Sequence, residues 1–279
     1  MTTLAKCLQF AAATLLLSFA FVDDAFAWGD EGHKIVCEIA MRRVSADTRA
    51  EITRLMAADQ EFSSFVDACT WADHPRKRAA EHFLNLPRDS QGLAGEGCGE
   101  AATCVVSAIQ QDARLLAAKS SSDGEKLVAL KYLGHWVGDV HQPLHVSFRD
   151  DRGGNDIRVS GVCGPNLHAV WDTCLVLEAL GPDVAAAASA LLESLKPDTA
   201  ETWIKSSPMD WANESFAIAE QSTTGYCQKT GAGCNGSGER VRVDRAYLDT
   251  NSAVVRSQLL KAGVRLAHLL DASLSYSRR

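Results

Sequence analysis

The 279-residue chain has no surplus of positive charge: 28 Lys and Arg stand against 35 Asp and Glu, a formal net charge of −7. That balance argues against a protein that holds nucleic acid by a broad basic surface, because such binding rests on Lys and Arg replacing counterions along the phosphates. After the N-terminal apolar run there is no second, longer one, and no repeat, clear linker or low-complexity stretch appears. Collagen-like and wholly disordered chains are thereby excluded. Strand signals are few. No C-x-x-C spacing occurs among nine cysteines, which weighs against a thiolate zinc site.

What is present at the N-terminus reads as an export signal. Lys6 gives a positive start, Leu8 to Val22 is apolar, and Ala25-Phe26-Ala27 is an A-x-A cleavage pattern. The run is shorter than the roughly 20 residues of a membrane span. Cleavage before Trp28 is expected to leave residues 28–279 as one domain of net charge −6, exported to a periplasm or beyond the cell. Cys7 departs with the signal. Cys37, Cys69, Cys98, Cys104, Cys163, Cys174, Cys227 and Cys234 remain, and an even count in an oxidising compartment reads as disulfides. Cys98 with Cys104, Cys163 with Cys174 and Cys227 with Cys234 are near in sequence, leaving Cys37 and Cys69 by default, although the count alone admits many pairings.

Most of the remaining chain carries apolar residues at helical spacing. Such stretches run from Ile35 to about Val44, Ala101 to Lys119, Glu125 to about Gln142, and Val243 to Leu274. Asn166 can cap a helix over Leu167 to Leu180, which Gly181-Pro182 would stop, and Pro143 should break the helix carrying His135. Asp151-Arg152-Gly153-Gly154-Asn155 followed by Ile157-Arg158-Val159 suggests a short hairpin near 153–160. The expected fold is all-α, a single mainly helical domain.

His135-x-x-x-Asp139 and His168-x-x-x-Asp172 each stack an imidazole and a carboxylate on one helix face, and that pair is a normal zinc ligand set. A structural ion pair gives the same spacing, so one such pair says little. Two pairs, with His145 just past Pro143, point to metal. The helix break lets His145 face a different ion from His135. Taken singly, Asp73 reads better as a helix cap and His82 as a buried hydrogen-bonded histidine than as ligands, and His33 is unremarkable.

Their joint order is more specific. Trp28-Gly29-Asp30-Glu31-Gly32-His33, then Trp71-Ala72-Asp73, the segment His135 to His145, Gly153-Gly154-Asn155, and Asn166 to Asp172 follow one another in a pattern. It closely resembles the secreted zinc-dependent nucleases of the mung bean nuclease type, the S1/P1 nuclease family. The resemblance spans nearly the whole chain after residue 27, continuing weakly through Trp211 to Ser215 and Gly263 to Ala267.

It implies a helical fold of the zinc phospholipase C and single-strand nuclease type, with three Zn²⁺ per chain. By motif, Asp73, His82, His135 and Asp139 would hold one ion, and His145, His168 and Asp172 a second. The third would take the α-amino and carbonyl groups of Trp28, with His33 and a shared Asp139. An α-amino group coordinates only when free and neutral, so a chain still joined to residues 1–27 is expected to be poorly active. Asp73, Asp139 and Arg76 would serve the reaction, Arg76 facing phosphate. Phe83 would stack a base, with Asn85 and Asn155 beside it. Asn85 is a departure, since fungal members carry a carboxylate there. Plain alternatives are a solvated charge for Arg76 and core packing for Phe83. His74, His141 and His268 are expected not to be ligands.

The implied activity is endonucleolytic hydrolysis of single-stranded DNA and RNA to 5′-phosphate products, with 3′-nucleotidase activity as a further implication. A monomer without stable membrane association is expected. The enzymatic rival is a zinc-dependent phospholipase C; the Trp28 to His33 spacing and Gly153-Gly154-Asn155 favour the nuclease. A third class is a disulfide-stapled binding protein with structural zinc, which is usually closed by four protein ligands. Three Zn²⁺ would offset the net charge of −6 at one cleft rather than over the surface.

Overall fold

Helical spacing in the sequence becomes helix almost wherever it occurs. In chain order these are α1 (Asp30–Arg43), α2 (Ala46–Met56), α3 (Phe65–Ala68), α4 (Val105–Ala117), α5 (Asp123–His141), α6 (Leu167–Ala169), α7 (Leu175–Leu180), α8 (Val184–Glu193), α9 (Pro197–Trp203), α10 (Pro208–Ala219) and α11 (Arg245–Ser277). They are seen in a computed structural model that describes residues 28–277 except 94, 96, 231, 232 and 237–239. The export signal expected over residues 1–27 lies outside the described residues.

Local chemistry sets the ends of the helices that matter here. Ser122 opens α5 with a capping box: its hydroxyl accepts from the Glu125 N–H, and the Glu125 carboxylate accepts from the Ser122 N–H at 2.8 Å. Pro143 closes the same helix by starting a 3₁₀ turn over Pro143–His145. Asn166 caps α6 through its side-chain oxygen, which accepts from the Ala169 N–H at 2.8 Å.

Helix α11 packs against α1, α4, α5 and α7, and α1 also lies on α8. Trp28, Trp136 and Trp171 are fully buried in the shared core, with Ile35, Ile39, Ile109 and Phe148. Each such aliphatic or aromatic side chain contributes roughly 1.5–3 kcal/mol through burial. Helix α5 is enclosed from Ala129 to His141. Its polar side chains therefore sit in a dry interior, where each must find a partner. No single helix among the described residues is long and apolar enough to cross a membrane.

Among the described residues, three two-stranded sheets complete the fold. β1 (Leu84–Leu86) runs parallel to β2 (Val146–Phe148), β3 (Val159–Gly161) parallel to β6 (Val241–Val243), and β4 (Cys227–Thr230) antiparallel to β5 (Gly233–Gly236). The hairpin expected near 153–160 does not form. Gly153 and Gly154 both take positive φ and fold the chain back toward Leu144 and His168, so the strand that follows pairs with β6 instead. Four disulfides link Cys37 to Cys69, Cys98 to Cys104, Cys163 to Cys174 and Cys227 to Cys234.

Candidate metal centre

Helix α5 presents His135 and Asp139 one turn apart on a buried face. After the break at Pro143 the chain delivers His145 at the head of β2, while His82 stands two residues before β1. Parallel pairing of β1 with β2 sets those two side by side, and His145 Nδ1 donates to the His82 carbonyl at 2.6 Å. His168 comes from α6, and Asp172 from a π-helical segment, Val170–Cys174, that continues it. Such wide turns are frequent at functional sites. His33 of α1 stacks on His135, with ring centroids 3.9 Å apart. Only a glycine at 138 allows this, because a Cβ there would lie 2.6 Å from His33 Nδ1.

The side chains converge in three groups. In the first, His82 Nδ1 lies 3.2 Å from His135 Nε2 and 3.4 Å from an Asp73 oxygen. In the second, His145 Nε2 and His168 Nε2 are 3.2 Å apart, and Asp172 is 3.4 Å from His168 Nε2. The third joins His33 and Asp139 beside His135, with His33 Nε2 3.5 Å from Asp139 Oδ1. Asp139 stands between groups: Oδ1 faces His33, and Oδ2 faces His82 at 3.2 Å and His135 at 3.4 Å.

Hydrogen bonds decide which nitrogens are bare. His135 Nδ1 donates to the Cys69 carbonyl at 2.8 Å, His82 Nε2 to the Lys77 carbonyl at 2.9 Å, and His168 Nδ1 to the Gly153 carbonyl at 2.6 Å. A neutral imidazole has one proton, so His82 Nδ1 and the Nε2 atoms of His135, His145 and His168 present lone pairs to one another. Burial pushes His82 and His168 down to about 4, and His145 well below 6.5, so a second proton does not relieve the conflict at neutral pH. Both Asp139 oxygens, Asp73 Oδ1, Asp172 Oδ2 and both His33 nitrogens are buried without a hydrogen-bond partner. Burial drives the Asp139 and Asp172 carboxyls well above the usual carboxylate range.

A cation resolves this arrangement, and the donor set fits zinc. Nitrogen and oxygen ligands at about 2.0–2.1 Å from a tetrahedral Zn²⁺ lie about 3.3 Å apart. The donor atoms within each group here all lie within 4.8 Å of one another, the closest imidazole pairs at 3.2 Å. The bare nitrogens of His82, His135, His145 and His168 are each backed by a carbonyl on the opposite ring atom, the arrangement that orients metal-binding histidines. Trp28 is fully buried, and the Gly29 N–H donates to the Asp172 carbonyl at 2.8 Å, fastening the 28–29 segment beside the second group. His141 is buried but satisfied, with Nδ1 on the Val137 carbonyl and Nε2 accepting from Arg265. His74 is exposed and paired with Asp30 at 2.9 Å, and His268 is exposed. These three stay outside the groups.

Arg76, Phe83, Asn85 and Asn155 line one cavity of about 220 Å³ together with His145 and His168. The Asn85 side-chain oxygen is buried there without a hydrogen-bond partner. Three supporting residues were not singled out from the sequence. Gln142 Nε2 donates to Asp172 Oδ1 at 2.6 Å, and its position in the Gln-Pro-x-His segment was the available signal. Asp151 accepts from the Gly154 N–H at 2.9 Å and from the Tyr226 hydroxyl at 2.6 Å, and it pairs with Arg88. It thus holds the turn whose Gly153 carbonyl orients His168. Nothing in the local sequence joins Tyr226 to that turn; only the fold does.

Residues 28–275 match the family model of the S1/P1 Nuclease. The chain is 28% identical to Endonuclease 2 of Arabidopsis thaliana over 88% of this chain and 89% of that protein. It is 29% identical to Nuclease S1 of Aspergillus oryzae, covering 95% and 97% of the two, and 27% identical to Nuclease P1 of Penicillium citrinum, covering 88% and 97%. With a helical fold, converging His and Asp groups and a match over nearly all of its described length, the chain belongs to the S1/P1 nuclease family.

Proposed function

We propose that residues 28–279, freed of residues 1–27, form an exported, monomeric phosphodiesterase without stable membrane association, in which three zinc ions are held by nine residues. Membership in the family makes the chain a zinc-dependent endonuclease acting on single-stranded nucleic acid, and the phospholipase C alternative is not favoured. The observation that supports the assignment of ligands is the set of facing imidazole lone pairs and unpartnered carboxylate oxygens, which bound metal cations would satisfy together.

Asp73, His82 and His135 would hold one ion, His145, His168 and Asp172 a second, and Trp28 (through its α-amino and carbonyl groups) with His33 a third. Asp139 would be shared between the first and third. Zinc bound there supplies Lewis-acid charge and a more acidic water for hydrolysis. The chain's own residues do the rest. Arg76 meets the phosphate, Phe83 stacks a base, and stacking accepts any base because all present a π-face. Asn85 and Asn155 border the base edge, and the Asn85 amide can donate as well as accept where a carboxylate only accepts. Products ending in 5′-phosphate are proposed. Four disulfides suit an oxidising compartment.

The test measures bound metal, then cleavage of single-stranded DNA, RNA and a phosphatidylcholine analogue, before and after chelation. Nucleic-acid cleavage that chelation abolishes and zinc restores is the expected result. Lipid cleavage alone, or bound metal with no hydrolysis, would overturn the reading.

A further inference from the structure

A second cavity of about 360 Å³ adjoins the first, and the two share Phe83 and Asn85 as a common wall. It contains none of the nine residues assigned to zinc; Ala80, Ala101, Thr103 and Arg149 line its far side. The shared wall follows from strand periodicity. Phe83 and Asn85 are two apart along β1 and its lead-in, so they leave the same face, while Leu84 and Leu86 turn into the core. Arg149 directly follows β2 and is tied to β1 through its N–H, which donates to the Leu86 carbonyl at 2.9 Å. Its guanidinium pairs with Glu100 at 3.0 Å, and with the two side chains 54% and 78% exposed this is a screened pair that another anion can displace.

Resting on the endonuclease reading above, we propose that this second cavity is a further nucleotide subsite. It would seat the base next in the strand to the one in the first cavity. The Phe83 ring then stands between two successive bases, and Arg149 leaves Glu100 to pair with the phosphate of that neighbouring nucleotide. Cations tracking the backbone and aromatic rings interleaved with bases are how single strands are held without sequence preference. Arg76 and Arg152 in the first cavity, the latter paired with Asp156, and Arg149 in the second supply cations to both positions. Glu100 acts as a placeholder anion, which makes its removal as informative as the removal of Arg149.

The experiment measures kcat/KM of the zinc-loaded enzyme on oligothymidylates of two, three, four and six nucleotides, across a range of salt concentrations. The wild type is expected to favour four nucleotides over two. Arg149→Ala should cut that preference about 3–10-fold. It should also flatten the log–log salt dependence on the tetranucleotide by about 0.7, the increment for one phosphate contact on a single strand. Glu100→Gln should raise the preference. An unchanged chain-length preference and salt slope in both variants would overturn the subsite alone. A wild-type enzyme that cleaves no oligonucleotide of any length would overturn the functional reading and the subsite with it.

Discussion

Four histidine rings in the cleft each donate their single proton to a main-chain carbonyl, and that choice leaves the opposite nitrogen bare. Asp172 is held differently, by a side chain: Gln142 donates to its Oδ1 and accepts from the Leu144 N–H, both at 2.6 Å. Truncating such a supporting residue typically costs about 10–100-fold in metal affinity or activity. Gln142→Ala should therefore weaken zinc binding by that order, read by competition with a chromophoric chelator, while the helical content stays intact. The proposed ligands stand out in the sequence because His-x-x-x-Asp pairs recur and because the family motifs fall in one order. Gln142 stands out less. Its role depends on the broken helix after His141 meeting the π-helical segment of Asp172, a contact 30 residues away along the chain.

At the scale of elements, two devices tie distant segments to the centre. The turn over residues 151–154 is fixed by Asp151, and Asp151 is in turn held by Tyr226 from beyond α10. Tyr226→Phe leaves a buried carboxylate short of a donor, a loss of about 1–3 kcal/mol. The variant should melt at a lower temperature and release one zinc more readily than the wild type, checked by calorimetry and metal titration. The Cys37–Cys69 disulfide joins α1, which carries His33, to the stretch whose Cys69 carbonyl orients His135. Closing a loop between residues 32 apart in sequence stabilises by about 3–4 kcal/mol through the unfolded chain. The paired substitutions Cys37→Ala and Cys69→Ala should lower stability in denaturant titrations by that amount and loosen zinc retention. Helix positions were readable because 3.6-residue periodicity is local. The parallel partners of β1 and β3 were not, since parallel pairing joins segments far apart in sequence, and the Gly153-Gly154 pair looked like a hairpin turn although it wraps a histidine.

For the whole molecule, the acidic net charge and the buried imidazoles set how pH and metal act on stability. Burial lowers His82 and His168 from 6.5 to about 4, so between those values the unfolded chain takes up protons that the folded chain refuses. The contribution of these groups is complete above about 6.5 and declines as pH falls toward 4. Metal-stripped protein should lose this histidine contribution across that window, opposed in part by the buried Asp139 and Asp172 carboxyls, which take up protons in the fold before they do in the unfolded chain, and zinc should raise Tm at neutral pH by binding only the folded state. Imidazole resonances of the folded, stripped protein read the rings directly by NMR, and His82 and His168 rings that protonate near 6.5 in the fold would contradict the account. The negative balance of the sequence speaks only against a broad basic nucleic-acid surface; with the proposed cations gathered at one cleft it is compatible with a nucleic-acid substrate. The central claim is that nine residues assemble a zinc centre around Asp139. Diffraction from crystals of the zinc-loaded protein, recorded on both sides of the zinc absorption edge, tests it most directly. The account predicts three anomalous peaks, two of them sharing Asp139 and one of those beside the Trp28 α-amino group. Peaks remote from Asp139, or none at the His145, His168 and Asp172 group, would contradict it.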